Sequence, residues 1–204
     1  SDVYKRQLRS LLQIPYYSDL HILLLKLPAI LCDIACGFLL YREAVKRLHF
    51  SDLQGIFAAS AYLFQPAVIL NSSCWGQVDS VYTLMIILMC LFLMKGNLLP
   101  AYAVYGLGVL LKPQMLIFTP VLLAGIWDHV FLQDFSWRKF FYNLCGGLVV
   151  ICGMLLLCAP FGLTAAISQY TSTLGSYEYA AINAYNFWGL LGMNWVDQLS
   201  LIHI

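Results

Sequence analysis

The sequence is poor in charge. Of its 204 residues only 10% are Asp, Glu, Lys or Arg, while 61% are hydrophobic. Soluble domains carry about 25% charged and roughly 45–50% apolar residues, so a water-soluble globule is excluded. The 11 basic and 10 acidic residues leave a formal net charge of +1. No basic surface of the size that nucleic acid requires can be built from them. No glycine-rich phosphate loop, G-x-S-x-G or H-E-x-x-H occurs, so the usual signatures of nucleotide, ester and zinc-dependent peptide hydrolysis are missing. The seven cysteines, Cys32, Cys36, Cys74, Cys90, Cys145, Cys152 and Cys158, have neither C-x-x-C spacing nor a disulfide framework. Six of them sit inside apolar runs, as small lipid- or core-facing hydrophobes. No internal repeat or low-complexity linker divides the chain.

What is present is apolar length. Six runs, at 21–41, 53–70, 79–94, 98–111, 115–130 and 140–163, are each too long and too little alternating for barrel strands. An all-α, polytopic membrane protein with about six transmembrane helices is predicted. The opening Ser1-Asp2-Val3-Tyr4-Lys5-Arg6-Gln7 and the closing Leu199-Ser200-Leu201-Ile202-His203-Ile204 resemble translated sequencing-adapter read-through. On that expectation 1–7 and 199–204 are non-native scars, and 8–198 is a single transmembrane-domain fragment cut at both ends.

Basic residues set the orientation. Arg42, Lys46, Arg47, Lys95, Arg138 and Lys139 fall in one set of connections, Arg9 and Lys112 in the other, and none follows Lys139. The first set is expected in the cytoplasm. Segments 8–20, 71–78, 112–114 and 164–198 are then extracytoplasmic, the last as a C-terminal segment.

The unusual residues gather on that outer side. Asn71-Ser72-Ser73-Cys74-Trp75-Gly76-Gln77-Val78-Asp79 joins an indole, two amides and a carboxylate around a glycine free to take unusual backbone angles. Trp75 suits a sugar face or an interfacial belt; Asn71, Gln77 and Asp79 suit hydroxyls, or Asp79 caps the helix that follows. Lys112-Pro113-Gln114 ends a run of about 14 residues, roughly 21 Å against a hydrocarbon core of about 30 Å. The Lys112 ammonium is therefore expected below the outer surface at a proline-broken bend, where irregular backbone must line protein or water. Snorkelling to the headgroups is the plainer alternative. Lys26 and Asp33 lie two turns apart on one face of the first segment, as an intramembrane charge pair or a substrate contact. The tail, with Tyr177-Glu178-Tyr179, Asn183, Tyr185, Asn186 and Trp188, mixes aromatics and amides as carbohydrate recognition or an interfacial helix would. The four histidines are scattered, and the outer side has few acids, so no metal site is expected.

Asn71 through Asp79, then Leu111-Lys112-Pro113-Gln114, then Asn183 through Trp188, with Lys26-Leu27-Pro28 and Asp33 ahead of them, resemble bacterial integral-membrane glycosyltransferases of the GT-C superfamily. The likeness is to the group related to GPI-anchor mannosyltransferases and covers about 20–195. It implies transfer of a mannose-like sugar from a polyprenyl-phosphate donor to a glycan, lipid or protein acceptor outside the bacterial cytoplasmic membrane. The lipid-linked sugar is a substrate and no cofactor is implied. Lys112 and Gln114 would bind the donor phosphate. Asn71, Trp75, Gln77, Asp79, Asn183, Tyr185, Asn186 and Trp188 would hold sugar or acceptor. The family's catalytic aspartate sits in the first outer loop, a region expected upstream of residue 8, so the fragment alone is expected to be inactive. A lipid or solute transporter or flippase is the alternative; such proteins show paired broken helices, and the sequence suggests one break, at Pro113. A purely structural membrane subunit is the third reading.

Overall fold

A computed structural model describes residues 19–133 and 135–175, and these are helical with no strand among them. The chain divides into two compact units, Ser1–Ile151 and Cys152–Ile204. The helices are α1 (Asp19–Lys46), α2 (Asp52–Leu63), α3 (Pro66–Ile69), α4 (Asp79–Met94), α5 (Leu98–Leu111), α6 (Thr119–Trp127), α7 (Trp137–Cys158) and α8 (Leu163–Gly175).

Each expected apolar segment is helical, but three have a different internal form. The 53–70 segment is broken: α2 ends at Leu63, α3 restarts at Pro66, and the two arms are bent by 50°. Pro66 has no N–H to give and its ring crowds the preceding turn, so the helix stops and restarts. The 115–130 segment opens on a 3-10 stretch, Pro113–Phe118, and closes on a π turn, Asp128–Leu132. The 140–163 segment starts three residues early at Trp137 and ends in a turn through Gly162, whose φ of 82° is a left-handed value. Residues beyond it, expected as an outer connection, continue as α8 to Gly175.

Among the described residues, three stretches, Ile22–Lys46, Pro113–Leu132 and Trp137–Phe161, are long and apolar enough to cross a membrane, and the bent pair Asp52–Leu63 with Pro66–Cys74 makes a fourth if taken as one span. The protein thus has integral-membrane character. The six-span expectation meets a length limit at α4 and α5, of 16 and 14 residues. At 1.5 Å per residue these reach about 24 and 21 Å, short of a core of about 30 Å. No residue of α7 is buried, and Leu148, Val149 and Ile151 face outward, as suits hydrocarbon as solvent.

Small residues let the helices of the first unit approach. A Cβ on Gly55 would lie 2.6 Å from Val45, and one on Gly37 would lie 2.8 Å from Leu63, so α1 and α2 pack almost backbone to side chain. Met89, Leu98, Ala101, Tyr102, Met115, Leu122 and Val130 form the core between α4, α5 and α6. The first unit has two ends. Asp79 at the start of α4 meets Lys112 at the end of α5. At the other end Arg47 donates to the Met94 carbonyl at 2.8 Å, and Gly96 lies against His129.

Candidate functional site

The Lys112 turn follows from its neighbours. Pro113 disfavours helical angles at the residue before it. Lys112 is accordingly extended, φ −151° and ψ 115°, and Pro113 opens the next helical turn, where a missing N–H costs nothing. The Lys112 N–H still reaches the Gly108 carbonyl at 2.8 Å. Met115, fully buried, folds back on Gly108, where a Cβ would stand 3.0 Å from its Cγ. That contact pins the turn to α5.

The ammonium does not snorkel freely. Lys112 is ion-paired with the Asp79 carboxylate, and each side chain retains about a third of its surface, 32% and 33%. Lys112 Nζ also lies 5.9 Å from the centre of the Tyr82 ring. Tyr82 holds the turn from the other side, its hydroxyl donating to the Gln114 carbonyl at 3.1 Å. Asp79 is the first residue of α4, and the N-cap position belongs to Val78 without a side-chain cap bond. The expected capping role is thus replaced by a carboxylate near the positive helix end that faces Lys112.

Asn71 through Asp79 reaches the same place by a π turn. The Trp75 N–H bonds to the Leu70 carbonyl at 2.9 Å and the Gln77 N–H to the Asn71 carbonyl at 3.0 Å. Gly76, at φ 65°, reverses the chain. The side chain of Lys26 lies over it, with Cγ 3.1 Å from where a Cβ would be. Beside this turn opens a cavity of about 460 Å³, lined by Asp33, Tyr62, Asn71, Trp75, Asp79, Ser80 and Thr83 with the aliphatic Ala67, Val68 and Leu70. Trp75 is exposed there and Ser80 is buried.

Lys26 and Asp33 are not joined. Two helical turns separate them by about 10 Å, and Asp33 instead accepts a bond from the Tyr62 hydroxyl of α2 at 3.1 Å. Asp33 is 95% buried, at 5% exposure. Its second oxygen, Oδ2, has no hydrogen-bond partner. Buried polar atoms are normally paired, and an orphan costs about 1–3 kcal/mol.

Of the expected site residues, the structure brings together Lys112 with Asp79, and Asn71, Trp75 and Asp79 around the cavity that Asp33 also lines. Lys26 stands at the Gly76 turn. The exposed side chains of Gln77 and Gln114 are not among the cavity-lining residues. Asn183, Tyr185, Asn186 and Trp188 lie outside the described residues. The sequence reading missed Tyr62, Ser80, Tyr82 and Thr83. Tyr82 and Thr83 were findable, being three and four residues past Asp79 on one helix face; Tyr62, in an apolar helix, carried no such signal. No group of three metal-ligating side chains converges among the described residues. No protein-family model matches the chain, and neither does any curated protein or solved structure.

Proposed function

We propose that the chain belongs to a GT-C-type membrane glycosyltransferase of the bacterial cytoplasmic membrane. It would move a mannose-like sugar from a polyprenyl-phosphate donor to an extracytoplasmic acceptor. One observation carries the reading: a lysine is held at a proline-broken turn, paired to an aspartate that lines an aromatic and hydroxyl-bearing cavity. When the glycosidic bond to a lipid phosphate breaks, negative charge grows on the phosphate. An ammonium already held in position stabilises that charge with little reorganisation. Lys112 would exchange Asp79 for the donor phosphate, with Gln114 beside it. Asp79, released, would accept a hydroxyl hydrogen bond alongside Asn71, Gln77 and the Trp75 ring. The general base is unassigned.

The topology that fits has six spans, with the shallow α4 and α5 accommodated by local thinning of the bilayer. In the first unit, Lys95, Arg47 and Arg138 gather at the end away from Lys112, and this charge asymmetry supports placing the Lys112 end and the C-terminal segment outside.

A transporter or flippase is favoured by one specific observation. The helix break at Pro66 is a second break beside the one at Pro113, and paired broken helices around a midplane site are the mark of such proteins. Labelled polyprenyl-phosphate sugar supplied to the protein expressed from its complete gene decides between them. Sugar release to an acceptor, lost in Lys112→Ala at unchanged expression, supports the transferase. Vectorial movement of labelled lipid without release supports the transporter. Full turnover in Lys112→Ala removes Lys112 from the mechanism.

A further inference from the structure

The cavity beside the Asn71–Asp79 turn holds two buried polar side chains that the fold leaves short of partners. Asp33 on α1 is 5% exposed and Ser80 on α4 is 3% exposed, and both line the cavity. One oxygen of Asp33 accepts from the Tyr62 hydroxyl at 3.1 Å, and the other, Oδ2, has no partner. The Ser80 hydroxyl makes no hydrogen bond among the described residues. Thr83, one turn further along α4, is already committed, donating to the Asp79 carbonyl at 3.0 Å.

Helix register puts Asp33 and Ser80 at one height. Arg47, just past the end of α1, donates to the carbonyl of Met94, the last residue of α4, at 2.8 Å. The two helices therefore end at about the same level. Asp33 stands 14 residues before Arg47, and Ser80 stands 14 residues before Met94. The rise is about 21 Å in each case. The carboxylate and the hydroxyl thus meet the cavity at a common depth, from two neighbouring helices.

An unpaired carboxylate oxygen needs a donor. None of the cavity-lining residues is basic, and the ammonium of Lys112 is held by Asp79. A metal ion is poorly served, because no group of three metal-ligating side chains converges among the described residues. The volume of about 460 Å³ falls within the range of small-molecule sites, about 300–1,000 Å³. Its wall offers an exposed indole at Trp75 and aliphatic surface at Ala67, Val68 and Leu70. A hydroxylated ring matches such a wall, with an apolar face for the indole and O–H donors for the buried acceptor. A site built to bond a hydroxyl also rejects the analogue that lacks it, because the buried acceptor is then left unpaired.

We propose that Asp33 and Ser80 form the sugar-discriminating floor of this cavity. Asp33 Oδ2 accepts a hydrogen bond from one ring hydroxyl, and the Ser80 hydroxyl bonds its neighbour. The proposal rests on the glycosyltransferase reading and makes Asp33 a specificity determinant within it.

The full chain in lipid nanodiscs is titrated with methyl mannoside and with the analogues that each lack a single hydroxyl, and saturation-transfer NMR gives the dissociation constants. The analogue missing the hydroxyl that meets Asp33 should bind about tenfold to a hundredfold more weakly than the glycoside itself, the effect of a hydrogen bond to a charged group. Asp33→Ala removes the acceptor and should bring that ratio to about one. Asp33→Asn, an uncharged acceptor, should keep about fivefold, and it serves where Asp33→Ala fails to fold. Asp128→Asn, outside the cavity, leaves the ratio unchanged. A purely structural Asp33 would weaken every glycoside together and leave the ratio intact in its variants, which would overturn the floor. Binding of the glycoside with no discriminated analogue would overturn the floor while the sugar reading of the cavity stands. No binding of any glycoside would overturn both. Displacement of the glycoside by millimolar methylammonium, but not by sodium at matched ionic strength, would assign Asp33 to an ammonium group and overturn the hydroxyl.

Discussion

The pairing of Lys112 with Asp79 can be measured by a double-mutant cycle. Lys112→Met keeps most of the side-chain length without the charge, and Asp79→Asn keeps its shape. Two unit charges about 4 Å apart attract by about 4 kcal/mol at an effective dielectric near 20 and by about 1 kcal/mol in water. Each partner here keeps about a third of its surface, so solvent screening pulls the value down toward the range of exposed pairs. Stacking of Lys112 on Tyr82 is lost in the Lys112 variant whether or not Asp79 is present, so the cycle removes it. A coupling of about 1–2 kcal/mol is expected. Reversible unfolding of the four proteins in mixed micelles gives the number, and added salt should reduce it only partly. A coupling below about 0.3 kcal/mol, the additivity limit of distant sites, would show that the two groups do not share the turn, and the mechanism built on their exchange would fall with it.

Other consequences are simpler. Tyr62→Phe deletes the one hydrogen bond to the buried Asp33 carboxylate, and a stability loss of about 1–3 kcal/mol is expected; a loss near zero would mean that Asp33 has another partner. Gly76→Ala forces a side chain into a left-handed backbone at φ 65° and should cost about 1–2 kcal/mol. Gly147→Ala, in α7 with nothing within 4 Å of the added methyl, should instead be neutral or stabilising by up to about 1 kcal/mol. The same unfolding measurement checks both, and equal effects at the two glycines would refute the backbone argument.

Local signals were legible in the sequence, and distant pairings were not. The bounds of α4 and α5 follow from the Gly96-Asn97 turn and from Pro113, each acting through one or two residues of backbone geometry. Pro66 carried the same kind of signal, but a hydrophobic run on both sides hid it. Asp79 reads locally as a helix cap, because nothing in the order of residues links it to a lysine 33 positions away; the packing of α4 on α5 does that. Asp33 and Lys26 share a helix face, yet two turns are too long for contact, and the real partner came from α2. The cavity was foreseeable as a gathering of polar types at one end, and Asp33 as an intramembrane charge; that Asp33 lines this same cavity beside Tyr62 was not.

The two helix breaks argue that this cavity is wet whatever it binds. A break below the headgroups strips backbone groups of their helical partners, and hydrocarbon offers no replacement. Here some are recovered locally: the Gln65 N–H turns to the Tyr62 carbonyl at 3.2 Å, and the Gln114 carbonyl accepts from Tyr82. The rest need water, and the polar wall from Asn71 to Thr83 supplies a place for it. Cysteine chemistry tests this directly, because alkylation needs a thiolate, which forms in water and not in lipid. All the cysteines are free, and Cys74, Cys145 and Cys152 are exposed on the protein surface. Cys74 sits in the π turn beside the cavity, whereas Cys145 and Cys152 lie on α7, amid residues that face hydrocarbon. A membrane-impermeant maleimide added to intact cells should therefore modify Cys74 quickly and Cys145 and Cys152 slowly if at all. Labelling of Cys74 only after the membrane is opened would place this end in the cytoplasm and reverse the orientation. Equal rates at the three thiols would mean that exposure to lipid and exposure to water are not separated on this surface, and the wet cavity would have no support.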